Sequence, residues 1–180
     1  MTNLAYIEQY TYEDYKHWEG DWELILGAAY AMAPAPVKKH QSLNALITAQ
    51  FVHSFEDCPN CEVLIEEDYK ISDDTILRPD ISIVCDDLNK IYISKAPEII
   101  VEILSPSTAR RDETIKFDIY ESENVKYYIL VDTTDFKAKI FRHNGERFIK
   151  VGDFFDETYE FSDLKCEAKI DFQRVFKRYR

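Results

Sequence analysis

The sequence predicts one α/β domain over residues 1–180, with a mixed central sheet and helices on both of its sides. Three observations carry this. Ile99-Ile100-Val101-Glu102-Ile103-Leu104 is apolar on both faces, as a central strand with layers above and below must be. Leu43, Ile47, Phe51 and Phe55 recur every four residues, with Leu46 beside them, which is one stripe of a long helix over Val37 to Phe55. Strand-like and helix-like segments alternate in the order helix, hairpin, long helix, several strands, helix, strand, hairpin. At 180 residues roughly 70% of the unfolded surface can be buried, so the core needs no staples.

Each element has a local cause. Thr11 to Glu19 reads as a short helix with Thr11 as N-cap and acids in the first turn, ended by Gly20. Trp22 to Leu26 and Ala28 to Met32 form an N-terminal hairpin turning at or near Gly27, and Pro34 and Pro36 close its second strand. After the long helix, Cys58-Pro59-Asn60-Cys61 is a turn, Val63 to Ile65 and Tyr69 to Ile71 are strands, and Asp73-Asp74 turn again. Ile81 to Cys85 is a buried strand and Asp86 to Lys95 a polar loop. Pro106 stops the central strand, and Ser107 or Thr108 caps a helix whose inner stripe is Ile115, Ile119 and Tyr120 and whose end is Asn124, a residue that tolerates the left-handed conformation. Tyr127 to Val131 is another strand. Lys139 to Arg142 and Arg147 to Val151 form a C-terminal hairpin across Asn144-Gly145, with one basic, wet face. Lys165 to Ile170 is the last strand, and Asp171 caps a terminal helix bearing Phe172, Val175, Phe176 and Tyr179.

With 46% hydrophobic and 14% aromatic residues the chain is globular, not disordered. The net charge of −12 argues against holding nucleic acid by bulk electrostatics. That charge is uneven: residues 137–180 hold 11 Lys/Arg against 8 Asp/Glu, so the last 44 residues carry +3 and the first 136 carry −15. A polyanion must therefore approach a local basic face. Met1 to Tyr15 lacks a secretory apolar core, and no run of about 18 apolar residues occurs. A soluble, cytoplasmic protein with its four cysteines reduced and no membrane association is expected.

The chemistry centres on Asp80, at the start of Ile81 to Val84, and Glu102, within the central strand. A carboxylate there must be paired, metal-bound or at a rim, because bare burial costs several kcal/mol. Two adjacent carboxylates repel, and Mg²⁺ or Mn²⁺ removes that conflict. A metal so held polarises a phosphoryl group and activates a water, and Lys116, one helix later, can orient that water or offset developing charge. A second reading stands beside this one, in which Glu102 pairs with a structural arginine and Lys116 with Asp112, four residues away on one helix face.

Arg78-Pro79-Asp80-Ile81-Ser82-Ile83-Val84-Cys85-Asp86, Ala96-Pro97-Glu98 through Ser107-Thr108, Arg110-Arg111-Asp112 and Lys116 resemble the Uma-two family of restriction-endonuclease-like proteins. Trp22 to Gly27, His40-Gln41 and Tyr128 to Asp132 extend the resemblance over nearly the whole chain. It implies the PD-(D/E)xK nuclease fold, Asp80 and Glu102 as metal ligands, and a Mg²⁺- or Mn²⁺-dependent phosphodiester hydrolase acting on nucleic acid, DNA first. It also implies homodimers, since cutting both strands needs two sites. The superfamily's usual lysine falls at Leu104, which cannot serve, and in this family the role moves to the position of Lys116. Glu23 matches an acid of the N-terminal hairpin and is a candidate outer ligand or water-positioning group, with His40 beside it. Two departures touch the supporting residues: Ala28 stands where members carry an acid, and Lys126-Tyr127 replaces Pro-Glu.

Two further classes of function remain at this stage: a nuclease fold kept as a binding or assembly module without turnover, and a nuclease acting on RNA or an unusual DNA structure. His40 is either a hydrogen-bonded, partly buried ring or a site residue. Cys58-x-x-Cys61, with His53 nearby, is half of a zinc site, and no second pair follows at ligand spacing, which weighs against zinc. Arg110 and Arg111 either meet phosphate or pair with adjacent acids.

Overall fold

The run Ile99–Leu104 is buried at all six positions, so it needs strands on both edges and layers on both faces. The computed structural model, which describes residues 8–32 and 37–180, supplies both. The elements in chain order are α1 (Tyr12–Tyr15), β1 (Trp22–Ile25), β2 (Ala28–Ala31), α2 (Lys38–Phe55), β3 (Cys61–Ile65), β4 (Tyr69–Ser72), β5 (Thr75–Leu77), β6 (Ile81–Cys85), β7 (Ile99–Leu104), α3 (Ala109–Glu113), α4 (Ile115–Ser122), β8 (Tyr127–Asp132), β9 (Lys137–His143), β10 (Phe148–Phe154), β11 (Thr158–Phe161), β12 (Ala168–Asp171) and α5 (Phe172–Phe176).

The central sheet has six strands in the order β10-β9-β8-β7-β6-β3. Only β7 and β8 run parallel, joined by the crossover through α3 and α4 that a parallel pair requires. A four-stranded sheet, β2-β1-β5-β4, and the pair β11-β12 complete the strands among the described residues. On one face of the central sheet, Ile83, Val101, Ile103 and Ile129 pack against Leu43, Ile47 and Phe51 of α2 and against Phe172 and Phe176 of α5. On the other, Ile100, Leu104, Tyr128 and Leu130 pack with Tyr120 of α4 and with Ile25 and Leu77 of the smaller sheet. Glu102 alternates with Ile100 and Leu104 and so belongs to this second face.

The mixed sheet, both hairpins and α2 stand as the sequence predicts. The N-terminal hairpin turns on Leu26 (φ 51°) and Gly27 (φ 79°), the two positive φ values that a two-residue hairpin turn asks for. Asn124 also takes the expected left-handed conformation, at φ 60°.

Several expectations change. The charged helix is interrupted at Thr114 (φ −126°, ψ −87°), whose hydroxyl donates to the carbonyl of Arg110 at 2.6 Å instead of leaving that acceptor to the helix. Ile115, predicted to face inward, is 41% exposed, and the buried row is Asp112, Lys116 and Tyr120. The first helix is a single turn, β5 and β11 are strands too short for periodicity to announce, and the last strand lies three residues later than its predicted start. The cysteines are not free thiols: Cys58 is bonded to Cys166 and Cys61 to Cys85, partners brought together from 108 and 24 residues apart. Pro34 and Pro36, read as closing β2, lie outside the described residues, as does the start of the N-terminal segment. Among the described residues no helix is long and apolar enough to cross a membrane.

Candidate active site

Asp80 and Glu102 are brought together by strand register. In the antiparallel pair β6-β7, Ile81 faces Val101, and one further step along both strands sets Asp80 opposite Glu102. Proline at position 79 suits this point, where the chain enters a strand from a turn. Oδ2 of Asp80 accepts the backbone N–H of Ile103 at 2.6 Å and lies 3.2 Å from Nε2 of His40, which the first turn of α2 presents. Burial works against a charged His40 ring, but the hydrogen bond and charge of Asp80 outweigh it and raise the pKa of His40 above its ordinary value. Asn44, one turn along α2, donates to the carbonyl of Asp80 at 3.4 Å.

Glu102 is held from the helix side. Its Oε1 accepts Nζ of Lys116 at 2.8 Å and the hydroxyl of Tyr120 at 3.1 Å. Lys116 is 3% exposed and lies among three acids, with Nζ also 2.8 Å from Oε1 of Glu23 and 3.4 Å from Oδ1 of Asp112. Burial alone would strip its proton. Glu102, Glu23 and Asp112 outweigh burial, and its pKa stands well above the ordinary lysine value. Glu102 is pushed well above the ordinary carboxylate range, first by burial and then by Asp112, Asp80 and Glu23, with Lys116 opposing. Asp112 is raised too, chiefly by burial.

The buried charges do not cancel. Glu23, Asp80, Glu102 and Asp112 are acids with little exposure, whereas Lys116 is the buried base and Arg111, 3.3 Å from Oε2 of Glu23, is half-buried. His40 adds a positive charge only when protonated. Oδ1 of Asp80 and Oε2 of Glu102 carry no hydrogen bond, and neither is sealed from solvent; the side-chain atoms that are sealed and unpartnered among the described residues are Nδ1 of His40 and Oγ of Ser82. The site thus has more acids than bases, and its carboxylates are of the donor type that a hard divalent cation takes. Among the described residues of this site no three acid or histidine side chains converge as a metal-ligand set, and Lys116 lies among Glu23, Glu102 and Asp112.

Asp80, Glu102, Lys116, Glu23 and His40 all meet here. Glu23 is tied to Lys116, to Arg111 and to the backbone N–H of Arg78 at 2.9 Å. Lys116 pairs with Asp112 as the second sequence reading expects, but Glu102 pairs with Lys116 itself and not with an arginine. Arg111 pairs with Glu23 and lies 4.5 Å from the ring of Tyr30. His53 is elsewhere, exposed and 3.2 Å from Glu56. Lys126-Tyr127 is also remote: Tyr127 pairs with Ile99, three residues of strand from Glu102, about 10 Å. The pairing of Lys126 with Glu98 at 2.6 Å therefore leaves the site's supporting groups alone. Asp112, Tyr120 and Tyr128, whose hydroxyl donates to the carbonyl of Asp112 at 2.9 Å, were not singled out as site residues. The spacing of 112, 116 and 120, a polar row at helical period, was the available signal.

A family model described as "Putative restriction endonuclease" (Uma2) matches residues 11–163. The chain belongs to the Uma2 family. The match runs from just before α1 to just past β11 and contains every residue of the acidic site. An uncharacterized protein of Synechocystis sp., slr1290, is 29% identical over 161 residues, covering 84% of this chain and 80% of that protein. The crystal structure of "a putative nuclease belonging to DUF820 from Anabaena variabilis ATCC 29413" shares the fold, with a TM-score of 0.72 over 93% of this chain and 97% of that one at 17% identity. The Uma2 chain described here therefore has the nuclease-like fold that the sequence predicts.

Proposed function

We propose that this protein is an endonuclease that hydrolyses phosphodiester bonds in DNA with Mg²⁺ or Mn²⁺ held by Asp80 and Glu102. The observation that carries the reading is the pair of carboxylates set opposite each other by the β6-β7 register, within a buried cluster that has more acids than bases. Two carboxylates with water and phosphate oxygens in the remaining positions are a usual shell for Mg²⁺. The bound ion supplies Lewis-acid polarisation of the phosphoryl group and lowers the pKa of a water.

The protein's own groups set the geometry. The N–H of Ile103 and the ring of His40 fix Asp80, while Tyr120 and Lys116 fix Glu102. Lys116, kept charged by its acids, offsets charge on a phosphate brought beside Glu102. Arg111, with 22% of its side chain exposed, is placed to meet the same phosphate once a polyanion competes with Glu23. Cutting both strands needs two such sites, which a homodimer provides. We place the activity in the cytoplasm, a compartment that reduces disulfides.

The test is cleavage of mixed DNA and RNA substrates with Mg²⁺ or Mn²⁺. Duplex DNA should be cut, and Asp80→Ala and Glu102→Ala should each abolish cutting; activity that survives both substitutions overturns the site. A binding module without turnover is the second reading, supported by the commitment of Lys116 to three carboxylates and by the net charge of −12. Metal binding that depends on Glu102, in a protein that retains but never cuts nucleic acid, would favour it.

A further inference from the structure

Cys58 lies on the turn between α2 and β3, Cys61 opens β3, Cys85 ends β6, and Cys166 lies in the segment before β12. Cys61 and Cys85 are register partners across β3 and β6. The bonded pairs Cys58–Cys166 and Cys61–Cys85 are themselves adjacent, with Sγ of Cys58 3.4 Å from Sγ of Cys61, so all four sulfurs share one corner of the central sheet. A tetrahedral Zn²⁺ with Zn–S bonds of about 2.3 Å sets its sulfurs roughly 3.8 Å apart, close to the 3.4 Å already present between Cys58 and Cys61. The second pair that zinc needs is thus supplied by the fold from two distant points of the chain.

We propose that, in the reduced protein, Cys58, Cys61, Cys85 and Cys166 form a closed tetrathiolate site for Zn²⁺. The turn Cys58-Pro59-Asn60-Cys61 has the C-x-x-C spacing of a zinc-binding turn, and Asn60 takes φ 61° to make it. Charge at the corner is mixed, because Asp57, Glu62 and Glu167 adjoin Cys58, Cys61 and Cys166. A Zn²⁺ with four thiolates carries two net negative charges, and Lys165, beside Cys166, and Lys95 both reach Asp86, the neighbour of Cys85, through its carboxylate and its carbonyl. A closed shell of four protein ligands leaves no position for substrate, so this metal is structural: it ties the turn after α2, β3, β6 and the β12 segment together. It is also independent of the chemistry proposed for Asp80 and Glu102.

The redox balance is simple. Each disulfide takes two electrons from a phosphine reductant, which becomes its oxide with oxygen from water, and yields two thiols. The four thiols then release their protons as Zn²⁺ binds.

The experiment uses full-length protein, stripped with a chelator, reduced with phosphine and titrated anaerobically with Co²⁺. The expected result is one Co²⁺ per chain with the intense visible bands and sulfur charge-transfer absorption of tetrahedral thiolate coordination, bleached by added Zn²⁺. Zn²⁺ at about 100 times its dissociation constant should raise the thermal midpoint of the reduced protein by roughly 5–10 °C. Cys85→Ser and Cys166→Ser should each weaken Co²⁺ binding by roughly 100-fold while far-ultraviolet dichroism shows the fold kept. Should both variants unfold, protection of all four thiols from alkylation by Zn²⁺ in the wild type carries the same information. Reduced wild-type protein that shows no thiolate bands and no such protection overturns the site, as does binding that survives in the Cys85→Ser/Cys166→Ser double variant.

Discussion

Strand β7 sends Ile99, Val101 and Ile103 to one face of the central sheet and Ile100, Glu102 and Leu104 to the other. The first face meets Leu43, Ile47 and Phe51 of α2 and is apolar throughout, so its stability scales with buried area and cavity volume. The second places Glu102 against Lys116, with Glu23 and Asp112 around the ammonium. Charges there have lost most of their hydration and are stabilised by one another and by hydrogen bonds from Tyr120 and the backbone N–H of Arg78. The same strand therefore carries a face whose stability depends on volume and a face whose stability depends on the balance of acid and base. The chemistry proposed above belongs to the latter.

The largest effect that separates the faces is on activity. Asp80→Asn and Glu102→Gln should each lower Mg²⁺-dependent cleavage by about 1000-fold or more, yet leave the chemical-denaturation midpoint equal or higher, since each removes a buried charge from a cluster with too many acids. Wild-type activity in either variant would show that the charged face is only structural. Next comes Lys116→Ala, which strands three carboxylates and should cost about 3–5 kcal/mol in urea unfolding, as a broken buried pair does. Lys116→Met combined with Glu102→Gln should recover much of that loss, because the charges leave together. Phe51→Ala on the apolar face should cost a comparable 3–5 kcal/mol, but cleavage per folded molecule should be unchanged.

A pH series gives a smaller effect. The folded protein holds a proton on Glu102 more tightly than the unfolded chain does, so this group favours folding most below its ordinary value of 4.5, and that contribution fades as pH rises toward the folded value. Stability measured upward from pH 4.5 should therefore fall less in Glu102→Gln than in wild type, whereas Mn²⁺ affinity of the wild type should climb over the same range. Parallel stability curves would remove Glu102 as the titrating group. Smallest of all, Lys126→Ala, at the far end of β7 and β8, should shift stability by no more than about 1 kcal/mol and leave cleavage unaltered.

Much of this was legible along the chain. Asp80 and Glu102 stand in recognisable strand runs, and Lys116 shares a helix face with Asp112. The inner face of that helix was misread because Ile115 is the more apolar residue; the break at Thr114 turns it outward and keeps Asp112, Lys116 and Tyr120 in register toward Glu102. Glu23 was legible as a site residue, but nothing local indicates that a residue 93 positions later would share its charge. Lys126-Tyr127 looked like damage to the site because it is near β8 in sequence, whereas register sets it three residues of strand away from Glu102.

Local rules determined the helices, the hairpins, the buried strands and the carboxylate pair, because backbone propensity and apolar periodicity act between near neighbours. Only the tertiary structure decided that Lys116 is shared by three acids and that four cysteines, spread from Cys58 to Cys166, meet at one corner. Coulombic and coordination energies depend on separation in space, and that separation is set by how the sheet and its two layers close.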